Sequence, residues 1–190
     1  MNGNERREAI LSAARHEFAR RGFNGASTAR IADTAGCSEP MLYKHFSSKH
    51  ELFCAVLDEV SQTMESSIDG VLSAPGDPLD NWLAFLPVAM RSEAYAEMVG
   101  LRKLAVAVVG EPVIRKMLAE GTDRLAMRVR DACARSKSMG RMRDDIDADY
   151  VTWIWLGITL AASYRQSIEG PGGFSGMLPH AKSFIDSLRP

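Results

Sequence analysis

Ser27 to Glu51, STARIADTAGCSEPMLYKHFSSKHE, decides how this chain of 190 residues is read. The stretch is two short helices joined by a tight turn, followed by the start of a third. Ser27 is placed to cap the first helix, whose apolar side is Ile31, Ala32 and Ala35. Gly36 ends it, because glycine takes up left-handed backbone without a Cβ clash. Ser38 restarts the chain as a second N-cap, and Pro40 falls in the first helical turn, where a missing N–H costs nothing. The second helix, 39–46, buries Leu42 and Phe46 and leaves Glu39, Pro40, Met41, Tyr43, Lys44 and His45 largely outside. Ser48-Lys-His-Glu51 then has the spacing of a capping box.

This is the grammar of a helix-turn-helix. About eight residues at a rise of ~1.5 Å make a rod of ~12 Å, close to the width of the B-DNA major groove. Its outer face carries an apolar tip (Pro40, Met41), a cation long enough to reach base edges (Lys44) and two phosphate donors (Tyr43, His45). Lys49 opens the next helix, whose free N–H groups suit a phosphate. A packed helical hairpin with a solvated face fits the same periodicity, so the pattern by itself leaves both readings open.

Gly22-Phe23, Ser27-Thr28, Ile31-Ala32, Ala35-Gly36, Ser38, Leu42-Tyr43-x-His45-Phe46 and Ser48-Lys49 resemble the N-terminal DNA-binding domain of the tetracycline-repressor (TetR) family. The likeness runs without a gap from about Arg7 to about Leu57, and LYKHF followed by SSK is its most specific part. Beyond it the chain matches only in length and helical character, with a loose Gly140-x-Met142-Arg143-x-Asp145-Ile146-Asp147 stretch. The resemblance implies an all-α protein: a three-helix, homeodomain-like helix-turn-helix domain over 1–48, a bridge helix over 49–71, and a ligand-binding and dimerisation domain over 72–190. It implies a transcriptional regulator, a repressor released from a palindromic operator by a small molecule, and no enzyme. Residue by residue, it implies phosphate contacts from Thr28, Tyr43, His45 and Lys49 and base contacts from Pro40, Met41 and Lys44, with Ser38 also facing DNA. Ala29 stands where some relatives carry a base-reading arginine, and Arg30 beside it is the candidate substitute.

A hydrophobic content of 46% supports a sizeable core, and the net charge of −1 does not by itself announce nucleic acid. The charge is uneven, however. The first fifty residues carry Arg6, Arg7, Arg15, Arg20, Arg21, Arg30, Lys44 and Lys49 against fewer carboxylates, and local potential is what DNA meets. MNGNERREAI is charged where a signal peptide would be apolar, and no run approaches the ~18 apolar residues of a membrane span, so a cytoplasmic protein without a membrane partner is expected. Cys37, Cys54 and Cys133 are odd in number and lack metal spacing; they read as reduced core or turn residues. His16, His45, His50 and His180 are scattered, and there is no phosphate loop or nucleophile elbow. Asp144, Asp145, Asp147 and Asp149 fit a turn and a helix N-terminus better than a catalytic cluster. No cofactor and no metal are therefore expected.

The first helix, 5–21, should stop at Gly22, and the helix from Lys49 to about Val71 is longer than a three-helix head needs. Ser73-Ala-Pro-Gly-Asp-Pro78 is the best boundary. A helix over 78–90 should kink at Pro87, and helices over 94–109, 112–136, 148–168 and 177–188 follow, with a loop at 169–173. The helix over 148–168 is apolar nearly all round and needs two partners. Doubled about a twofold axis, the last two helices would form a four-helix bundle between the subunits of a homodimer; a hairpin within one core is the alternative. Trp82, Phe85, Met90, Tyr95, Met98, Leu101, Met117, Trp153 and Leu156 are the candidate lining of a cavity for a small apolar effector. Core filling accounts for any one of them singly, and the family resemblance is what favours a cavity for the set. The competing functional reading is a helical small-molecule carrier or enzyme with a vestigial head.

Overall fold

Gly22 and Gly36 both have left-handed backbone, at φ +69° and +66°, and the helices of the N-terminal region are arranged around these two breaks. The computed structural model describes residues 2–108, 110–170 and 175–190. Val109 and most of the expected 169–173 loop lie outside the described residues. In chain order the helices are α1 (Gly3–Gly25), α2 (Thr28–Thr34), α3 (Glu39–His45), α4 (Lys49–Ser73), α5 (Pro78–Arg91), α6 (Glu93–Ala107), α7 (Pro112–Ser138), α8 (Ala148–Glu169) and α9 (Leu178–Ser187), with a short 3₁₀ turn at Ser175–Met177. Among the described residues the regular structure is all helical, and no helix is long and apolar enough to cross a membrane.

The chain divides into two compact units: Met1–Thr63 with Glu97–Ala119, and Met64–Ala96 with Glu120–Pro190. The division falls inside α4, α6 and α7. In the first unit, Ile10, Ala14 and Phe18 of α1 are fully buried, as are Ile31 of α2, Leu42 of α3, and Leu52 and Phe53 of α4. Removing each of the Ile, Leu and Phe side chains from water is worth about 1.5–3 kcal/mol, far more than the local propensity of a seven-residue helix. Phe53 meets Phe18 edge-on at 4.9 Å and Phe23 at 5.1 Å. Leu101, Ala105 and Ile114 are also fully buried in this unit, and a Cβ on Gly22 would lie 3.8 Å from Leu104.

Two expected caps are built differently. Ser38 has N-cap backbone, but its hydroxyl makes no capping hydrogen bond. The Ser48 hydroxyl accepts from the Glu51 N–H at 3.0 Å, as a capping box requires. The Glu51 carboxylate, though, accepts from the Ser47 N–H at 2.6 Å and from the Ser47 hydroxyl. Ser47 supplies that carboxylate with two donors, where the Ser48 backbone would supply one.

In the second unit, Leu79, Trp82, Leu86 and Met90 of α5 pack with Val129, Ala132 and Cys133 of α7, with Val151 and Trp155 of α8, and with Ile185 and Leu188 at the chain's end. Trp82 lies 5.0 Å from Trp155 and 5.6 Å from Phe85. Asp77 caps α5 by accepting from the Leu79 N–H at 3.3 Å. Its other carboxylate oxygen holds Arg189, which also reaches Asp80 and donates to the Arg141 carbonyl at 2.7 Å. The helix α5 continues through Pro87 to Arg91. The 140–147 stretch is a turn: Met142 is buried, Arg143 pairs with Asp145 at 2.6 Å, and Asp147 caps α8 by accepting from the Asp149 N–H at 2.9 Å.

The outward side of α8 is apolar. Tyr150, Trp153, Ile154, Leu160, Tyr164 and Ile168 are between 37% and 68% exposed and recur at spacings of three, four and seven residues, so they form one stripe along the helix.

Candidate nucleic-acid interface

The head presents α3 as a short rigid helix. Leu42 is fully buried beneath it, which fixes its rotation, while Pro40, Tyr43 and Lys44 face solvent and Met41 and His45 are half-buried. Tyr43 keeps 43% of its surface exposed. Ser38 is exposed just before the helix, with its hydroxyl uncommitted to a cap. Arg7 sits 5.1 Å above the ring of Phe46, the residue that closes α3. Lys49 lies at the start of α4, where its ammonium group is 4.9 Å from the centre of the Phe23 ring and donates to the Asn24 carbonyl at 3.4 Å. That carbonyl bond is long, so the ammonium gives up little by turning to a phosphate.

The two candidates on α2 are both engaged by other residues of the head. The Arg30 guanidinium forms an ion pair with Glu17 at 2.6 Å and donates to the Gly25 carbonyl at 2.9 Å. Glu17 also accepts from the Ser27 N–H at 3.2 Å. Burial alone would push the Glu17 carboxyl up; the hydrogen bonds from Arg30 and Ser27 and the charges of Arg30 and Arg21 outweigh it and hold it below the usual glutamate range. Arg30 is thus turned towards α1, and to reach a base it would have to leave Glu17. The Thr28 hydroxyl donates to the Glu39 carboxylate, and the Tyr43 hydroxyl donates to the Thr28 oxygen at 3.2 Å. Thr28, Glu39 and Tyr43 are therefore one connected group across the turn. Sequence reasoning assigned no role to Glu39 or Glu17. The only local signal was an acidic residue opening α3, which is also what a helix N-terminus favours on its own.

The candidate effector residues are divided between the two compact units. Met98, Leu101 and Met117 belong to the first unit, where Leu101 is fully buried. In the second unit, Trp82 and Met90 are buried, with Phe85 and Tyr95 packed against their cluster, and Leu156 is half-buried. Trp153 is 57% exposed on the outer stripe of α8. A cleft in this unit is lined by Trp82, Leu86, Trp155, Ile158, Phe184 and Ile185, among others, and its ≈ 20 Å³ has room for about one water. Gln166 is buried and donates to the Met90 carbonyl at 2.6 Å, while its Oε1 accepts nothing among the described residues. Burial pushes the Cys133 thiol up to about 11, and burial with Glu111 and Glu51 pushes up that of Cys54; neither is an activated nucleophile.

Comparison with known proteins agrees with this geometry. Residues 10–56 match the family model described as bacterial regulatory proteins, tetR family. The HTH-type transcriptional repressor AcnR of Corynebacterium diphtheriae is 30% identical over 146 residues, covering 76% of this chain and 72% of that protein. The HTH-type transcriptional activator FasR of Mycolicibacterium smegmatis is 44% identical over 77 residues, 40% of this chain and only 34% of its own length. The crystal structure of a TetR-family transcriptional regulator from Agrobacterium tumefaciens covers the whole of both chains with a TM-score of 0.83 at 17% identity, a likeness of fold.

Proposed function

The chain belongs to the TetR family of bacterial regulatory proteins, which are DNA-binding transcriptional regulators, and from that premise we propose that it is a dimeric repressor released from its operator by a small apolar effector. The reading rests on α3: a helix locked from below by Leu42 and exposing Pro40, Tyr43 and Lys44 to a groove. Residues 1–48 would engage DNA, 49–71 would link, and 72–190 would dimerise and bind the effector. Lys44 would donate to guanine O6 or N7, and Met41 would pack on a thymine methyl. His45 and Lys49 would hold phosphates, with the Ser38 hydroxyl, which makes no capping bond, beside them; Tyr43 would join them by turning its hydroxyl away from the Thr28 oxygen.

The exposed apolar stripe of α8 supports pairing of two chains through the last two helices, because water is a poor neighbour for that much aromatic and aliphatic surface. The effector site is supported by the apolar cluster around Trp82, Phe85, Met90 and Tyr95 and by the unpartnered Gln166 Oε1. The cleft beside Trp82 and Trp155 holds about one water, so a ligand taking that cleft would have to move its side chains. Release from DNA follows by linkage: the effector weakens DNA binding by its differential affinity for the two states.

The test is an anisotropy titration of labelled duplexes spanning the DNA upstream of the chain's own gene, at several salt concentrations, repeated with a panel of apolar compounds. One duplex should bind at least 10³-fold more tightly than random DNA, with affinity falling steeply with salt and one or more compounds reversing it. Equal, weak binding to every duplex would refute the repressor reading, and tight binding indifferent to the whole panel would refute the effector.

A further inference from the structure

The geometry points to Glu39 as a specificity-determining residue that reads a base with an amino group in the major groove, cytosine before the others, with Thr28 and Tyr43 acting as its positioning residues. The assignment rests on the reading of α3 as the DNA-contacting helix. Glu39 is the first residue of α3, and the N-terminal residues of such a helix are the ones that meet base edges.

The proton directions in the group are forced. An ionised carboxylate only accepts, so the Thr28 hydroxyl must give its proton to Glu39 Oε1. That proton is then spent, and the Thr28 oxygen is left as the acceptor for the Tyr43 hydroxyl. Thr28 is partly buried at the start of α2, and its bond to Glu39 is charge-assisted, the stronger kind. One oxygen of Glu39 is thereby pinned. Its Oε2 accepts no hydrogen bond among the described residues and remains a free acceptor on a carboxylate whose rotation is already restricted. Thr28 changes role accordingly: its hydroxyl proton belongs to Glu39 and is not on offer to a phosphate.

The chemistry of the base edges does the selecting. Guanine shows O6 and N7 and thymine shows O4, all acceptors, each of which repels a carboxylate. Adenine shows an amino donor, but with the N7 acceptor beside it. Cytosine shows the N4 amino group as its polar feature in that groove. A carboxylate desolvated against the wrong edge is left unpaired beside the phosphates of the same duplex, so the penalty for the other bases is steep.

The experiment is selection of bound duplexes from a random library with the full chain, comparing wild type, Glu39→Gln, Glu39→Ala and Thr28→Val, with thermal melts of each to show a folded head. Wild type should prefer cytosine at one position of each half-site by about tenfold. Glu39→Gln should move that preference to adenine, whose N6 and N7 suit an amide, and Glu39→Ala should flatten it. Thr28→Val should keep the position and reduce the preference about threefold, because the carboxylate is then free to rotate. Variants that bind every duplex more tightly with an unchanged profile would show that Glu39 merely competes with phosphate, and variants that bind every duplex more weakly would show a structural role only; either overturns the assignment. A wild-type chain that enriches nothing would fail earlier, at the DNA-binding reading itself.

Discussion

The outer faces of α3 and α8 are both exposed, and they differ in what they ask of a partner. The α3 face mixes Pro40, Tyr43 and Lys44, side chains that water tolerates and that a groove can use. The α8 face sets Trp153, Leu160, Tyr164 and Ile168 in one row with no charged tip among these four. A polar, cation-bearing face can wait in water for an anionic polymer; a continuous apolar face gains most by meeting another apolar face. Exposure alone does not distinguish a DNA surface from a subunit interface, whereas the chemistry of the tips does.

The comparison breaks most readily at α8. Trp153→Glu combined with Leu160→Glu places charges in the apolar row, and sedimentation should then report a monomer. DNA affinity should fall about 100-fold or more with the loss of two-headed binding. A wild-type chain that sediments as a monomer at micromolar concentration would contradict the assignment of that face. On α3, Lys44→Ala should cost about 1–3 kcal/mol at a single base pair and relax the preference there, as read by affinities for single-base variants of the bound site. Unchanged preference would remove Lys44 from the reading surface.

A smaller effect separates the head's internal clamp from its DNA surface. The native Glu17 carboxyl is held below its ordinary range, so it stabilises the fold at pH values above its unfolded pKa, near 4.3, and that contribution disappears as pH falls through the lowered native value. Glu17→Gln should lower stability by about 0.5–1 kcal/mol at neutral pH, discounted because Arg30 is half-exposed, and should flatten the fall of the melting temperature below about pH 4. Parallel acid profiles for the two proteins would contradict the clamp. The smallest effect is that of Lys49→Ala, which should weaken every duplex about threefold and lower the salt slope by about one. Identical slopes would take Lys49 off the phosphates.

The head was legible because its signals are local. Gly22 and Gly36 each need left-handed backbone, Pro40 fits only an early helical position, and Leu42 buried beside an exposed Tyr43 follows from helical periodicity. Contacts between helices carry no such signature. Glu17 meets Arg30 across 13 residues and Thr28 meets Glu39 across 11, and in both cases a break between two helices intervenes, so helical periodicity cannot pair them. The joining of Glu97–Ala119 to the first unit had no marker in its own pattern. On α8, a helix apolar all round has no polar side to show which way it faces, so Trp153 could be assigned equally well to a cavity or to an interface, and it faces outward. Cavities depend on gaps between side chains from distant segments, and such gaps leave no pattern along the chain from which effector residues could be read.

Two α3 helices, one per subunit, entering successive major grooves are tested most directly by hydroxyl-radical footprinting of wild-type protein on its selected duplex. Two protected patches on one face of the DNA, centred about 10–10.5 base pairs or 34–36 Å apart, are expected. A single patch, or uniform protection along the whole duplex, would contradict the account.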